Sequence, residues 1–76
     1  MIRLSEAKKG KYTIHEIPTG YTAHMRCTSR GILPNESIEV LQNHSYHRPI
    51  LVKIKNTEWA IGYGLAMKIL LNEKSI

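Results

Sequence analysis

With 76 residues, 42% of them apolar and 22% charged, the chain holds one small hydrophobic core and reads as a single domain, too small for the deep cleft of an enzyme. Eleven basic against six acidic residues give a net charge of +5, which favours an acidic protein, a nucleic acid or an anionic membrane surface as partner; the charges are scattered, and no run singles one out. The single cysteine, Cys27, excludes an internal disulfide, and the sequence, lacking an apolar signal core or a run of about 20 apolar residues, predicts a cytoplasmic protein that does not insert into a membrane.

In chain order, residues 3–9 predict a short helical turn capped by Ser5 and ended by Gly10, with Leu4 and Ala7 inward. Residues 11–17 read as the first strand, Tyr12 and Ile14 on one face and Thr13 and His15 on the other, stopped by Pro18, Thr19 and Gly20. A helix is predicted over residues 21–30, because Gly31 stands where a helix stop needs positive φ and Pro34 prevents the helix from resuming. Asn35 suits a left-handed turn position. Ile38 and Val40 alternate with Ser37 and Glu39 in a second strand over 37–42, and residues 43–48 form a polar loop before Pro49. Residues 50–55 give the clearest alternation, and a tight return at Asn56 and Thr57 leads into a fourth strand at 58–61. Gly62, Tyr63 and Gly64 break that strand, residues 65–68 form one helical turn, and 69–72 make the last strand. Five short strands with one helix after the first predict a mainly β fold, a small curled barrel.

The helix is two-faced. At about 100° per residue Ala23, Cys27 and Arg30 fall on one side and Tyr21, Met25 and Thr28 nearly opposite. If Ala23 and Cys27 seat the helix, Tyr21 and Met25 stand exposed one turn apart beside Arg26, and aromatic, methionine and arginine side chains are the types enriched where proteins dock. The bland alternative is a mildly apolar surface without function.

Chemistry of its own is not indicated. His44 and His47, three apart in the polar loop, are weak candidates for transition-metal ligands, since a site needs three or four convergent donors and the loop supplies no carboxylate or thiol. Two solvated surface histidines are the commoner outcome, and a lone helix cysteine is most often a small buried hydrophobe. Ser29, Ser37 and Ser45 have no nearby histidine and acid pattern that would activate a nucleophile, and Gly62 with Gly64 is too short for a nucleotide fingerprint. No cofactor is expected beyond weak metal binding.

An early Leu4 and Gly10, an inward Ile14, a helix ending in Gly31-Ile32-x-Pro34, a strand with Ile38 and Val40, a hairpin around Val52 and Ile54, and a closing Ala66-x-x-Ile69-x-Leu71 follow one another over about 70 residues. In this order and spacing the chain resembles the FeoA family of small SH3-like proteins associated with bacterial ferrous-iron uptake. It departs in having Cys27 and Arg30 where leucines are usual, Asn35 for a second glycine, and Gly62 where a basic residue often follows the fourth strand. The resemblance implies an SH3-like β-barrel with one inserted helix. It also implies a non-enzymatic accessory role, binding the cytoplasmic part of the FeoB transporter and adjusting its assembly or GTPase-linked activity. Tyr21, Met25, Arg26 and Arg30 are the candidate contact residues, with Arg26 or Arg30 able in principle to supply an arginine finger. Two other readings stay open: a basic barrel binding nucleic acid, disfavoured because Tyr12, Tyr46, Trp59 and Tyr63 are dispersed, and a metal-responsive regulatory domain. Exposed barrel edges also allow a homo-oligomer.

Overall fold

A computed structural model describes residues 1–44 and 46–73. Six antiparallel strands, β1 (Ile2–Arg3), β2 (Gly10–Glu16), β3 (Ser37–Gln42), β4 (Ile50–Ile54), β5 (Thr57–Ile61) and β6 (Leu70–Asn72), lie in one sheet of order β1-β6-β2-β3-β4-β5. Helix α1 (Tyr21–Thr28) joins β2 to β3, and the one-turn α2 (Tyr63–Ala66) joins β5 to β6. Inward residues of the alternating strands, Ile14, Ile38, Val40, Ile50, Val52, Ile54, Ile61 and Leu71, form one core together with Leu4, Ala7, Cys27, Ile32, Ala66 and Ile69. The pairing bends at two irregularities, between Ile14 and Glu16 against β6 and between Val40 and Gln42 against β4, which help the sheet curl around that core.

The end of α1 follows the expected chemistry. Gly31 has φ +78, its N–H donates to the Thr28 carbonyl, and the Ile32 N–H reaches back to the Cys27 carbonyl at 2.9 Å. These bonds satisfy helix-end carbonyls, while Cys27 and Ile32, both fully buried, anchor the turn from below. Ser29 and Arg30, expected within the helix, lie in this closing turn: the Arg30 N–H bonds to the carbonyl three residues back, a tighter winding than the α-helix. Asn35 takes φ +73 and donates its N–H to the Ile14 carbonyl, tying the turn before β3 to β2.

Four local expectations shift. The N-terminal turn shrinks to a 3-10 turn at Leu4–Glu6 without a Ser5 cap, because Ile2 and Arg3 are drawn into a strand pairing with Leu71 and Leu70. Gly10 starts β2 at φ +151 instead of ending a helix. The hairpin return falls on Lys55 and Asn56, φ +49 and +69, with Ile54 paired to Thr57. Two successive left-handed residues match the strand twist there, and a turn one residue later would force the β-branched Thr57 into that conformation. Helix α2 begins at Tyr63, and Ile69 sits before β6, its carbonyl accepting from Leu4.

Candidate functional site

Cys27 is fully buried and Ala23 half-buried, so of the two faces that the periodicity leaves open, α1 lies on the barrel by the one carrying Ala23 and Cys27. The consequence is an outward ridge on which Tyr21 is 81% and Met25 48% exposed. Burial raises the Cys27 thiol above its ordinary value, with the nearby Arg30 charge opposing, so it is a neutral packing group.

Arg26 and Arg30 take a different side of the helix from that ridge. Together with Ala60, Ile61, Gly62, Gly64 and Leu65 they line a hollow of about 370 Å³ between α1, the end of β5 and α2. A second hollow of about 320 Å³ shares Arg26, Gly64 and Leu65 and adds Thr22, Ala23 and Lys68, so the two form one groove carrying three cations and no acid among the described residues. Arg30 is held in place: Nη1 donates to the Arg26 carbonyl at 2.7 Å, and its guanidinium sits 5.4 Å from the Trp59 ring centre. Arg26 makes no such side-chain bond among the described residues and is exposed to whatever enters the groove. The four candidate contact residues thus divide into an apolar pair, Tyr21 and Met25, and a basic pair, Arg26 and Arg30, on neighbouring flanks of one helix.

The polar loop is organised by a residue that the sequence pattern did not single out. The Asn43 side-chain amide donates to the Ser5 carbonyl at 3.1 Å and the Ala7 carbonyl at 2.9 Å, pinning the loop to the N-terminal turn. An asparagine at the inner end of a strand-to-strand loop was the available signal, but its partners lie more than thirty residues away. His44 Nε2 contacts Gln42 Oε1 at 3.2 Å, whereas His47 stacks on Tyr63 of α2 with ring centres 4.3 Å apart. The histidines serve different neighbours, and no three His, Cys, Asp or Glu side chains converge as a metal site among the described residues. Ser45 lies outside the described residues.

Another hollow, about 520 Å³, lies elsewhere, on β2, β3, β4 and the hairpin turn, and is lined by Lys11, Lys53 and Lys55 together with Glu39. The described residues that line it include no aromatic platform of the kind single-stranded nucleic acid needs. The Tyr12 hydroxyl bonds to the Lys8 carbonyl, Trp59 is half-buried with Arg30 over it, Tyr63 is stacked, and Tyr46 stands alone at 89% exposure. Trp59 packs against the core from its margin. No helix among the described residues is long and apolar enough to cross a membrane.

Known proteins match this architecture. The FeoA domain model covers residues 2–73. A candidate Fe(2+) transport protein A of Methanocaldococcus jannaschii is 35% identical over 74 residues, 96% of this chain and 88% of the relative. The crystal structure of an iron uptake regulatory protein, FeoA, superposes with a TM-score of 0.85 at 32% identity, over 92% of this chain and 93% of the other. Stenotrophomonas maltophilia FeoA, solved with zinc and described as a prokaryotic SH3 domain protein, shares the fold at a TM-score of 0.78 and 16% identity, over 95% and 91%. A curled six-stranded sheet, a helix seated on it by one buried face, and a domain match over almost the whole length lead to one assignment: this chain belongs to the FeoA family.

Proposed function

We propose that the chain is a cytoplasmic accessory protein of ferrous-iron transport that docks through α1 on the cytoplasmic part of an FeoB-type transporter and modulates its assembly or GTPase-linked activity. The observation that carries the reading is the exposed pair Tyr21 and Met25 on a helix held rigidly by Cys27 and the Gly31 turn, in a chain of this family. Rigid placement matters because a docking helix that is already ordered avoids the entropic cost of forming on contact. No catalytic role is assigned to the chain itself. Arg26 is the better placed of the two arginines to act on a partner, since Arg30 is already engaged by the Arg26 carbonyl and Trp59.

The test is capture of detergent-solubilised FeoB by the purified chain, with the Tyr21→Ala, Met25→Ala double variant beside it. Loss of capture at unchanged thermal stability is expected; equal capture by the variant would remove α1 from the interface. Hydrolysis of GTP by the captured transporter, measured with wild-type chain and Arg26→Ala, separates a regulator from a passive subunit.

A further inference from the structure

We propose that the open edge of β5, beside α1, takes an extended acidic segment of the protein partner as an added strand. The proposal rests on the reading that α1 faces a protein partner, and it names the chemistry of the segment received. Among the described residues strand β5 ends the sheet and pairs with β4 alone. The left-handed Lys55 and Asn56 make a two-residue turn that sets Ile54 and Thr57 as a hydrogen-bonded pair. Bonded and non-bonded pairs alternate from there, so Trp59 and Ile61 turn their backbone groups to β4, while Glu58 and Ala60 turn theirs outward. Among the described residues, no hydrogen bond outside the sheet ladder involves either one.

An unpaired strand edge is a template for another polypeptide unless charge, bulges or a cover protect it. Here Glu58 guards only the hairpin end, directly across from Lys53. Ala60 instead opens into the groove with Arg26 and Arg30, continued by Lys68, and no acid among the described residues lines it. Alternating outward N–H and C=O groups require donors and acceptors at strand spacing, which a polypeptide offers and a phosphate chain does not. Arg26 and Arg30 at the Ala60 end, with Lys68 farther along the groove, select carboxylates on that part of the segment.

Trp59, the only tryptophan, lies between the two outward residues and reports on occupancy. The probe is a blocked peptide of about seven residues alternating valine and glutamate, compared with the same peptide N-methylated at every second amide and with its lysine analogue. A saturable change in Trp59 emission is expected from the first alone. Ala60→Pro, tolerated where a strand N–H faces outward, and N-methylation should each weaken binding about tenfold, and Arg26→Ala a few-fold. Should Ala60→Pro fail to fold, the N-methylated pair decides on unaltered protein. Equal binding of the N-methylated peptide, no binding at millimolar concentration, or an emission change that follows self-association in gel filtration overturns strand addition. So does a response to an RNA oligonucleotide or an anionic vesicle in place of the peptide. If the peptide fails while FeoB is still captured, strand addition falls and the docking helix stands; loss of capture by the Tyr21, Met25 variant bears on the docking helix alone.

Discussion

Asn43→Ala should destabilise the protein far more than a substitution in a surface loop ordinarily does. The amide donates to two main-chain carbonyls, Ser5 at 3.1 Å and Ala7 at 2.9 Å, in a part-buried setting. Each such bond contributes about 1 kcal/mol net, so losing both costs about 2 kcal/mol. For a domain near this length each kcal/mol lowers Tm by about 4–8 °C, and the variant should melt about 8–16 °C below wild type. Asn43→Asp should fare at least as badly, because a carboxylate donates nothing and faces two carbonyl oxygens. Urea unfolding followed by circular dichroism is the assay, with the midpoint falling at constant m-value. An unfolding free energy within about 0.3 kcal/mol of wild type for Asn43→Ala, or an aspartate variant milder than alanine, would refute the pinning role.

Gly31→Ala should cost about 1–2 kcal/mol from the backbone alone, since φ is +78 and the new Cβ would meet Ile54 Cγ2 at an ordinary 3.5 Å; Gly31→Asn should cost less, and urea midpoints of the two compare them. Cys27 carries a pH signature. Burial raises its pKa in the folded state above the ordinary 9.0, so its contribution is present in full below that value and is lost as pH rises through the folded-state pKa. Stability of wild type measured from neutral pH into the alkaline range should therefore fall more steeply than that of Cys27→Ala, and the folded thiol should react slowly with iodoacetamide at neutral pH.

Local chemistry was legible where it depends on near neighbours. The Gly31 stop, the left-handed Asn35 and the period of two in β3 and β4 all follow from steric and hydropathic rules acting within a few residues. The ordered set of glycines, prolines and inward aliphatics was enough to suggest the family as well. Three features needed the folded chain. Two residues, Ile2 and Arg3, are too few to show a strand period and become one only because β6 is there to pair with them. Asn43 looks like any loop asparagine until the N-terminal turn is brought beside it. The basic groove joins Arg26 and Arg30 to Ala60, Gly64 and Lys68, which lie farther along the sequence by 30 positions or more, and it exists because α1 and α2 flank the same end of β5. Periodicity determines which face of an element is apolar; which elements those faces bring together is decided only when the sheet closes around its core.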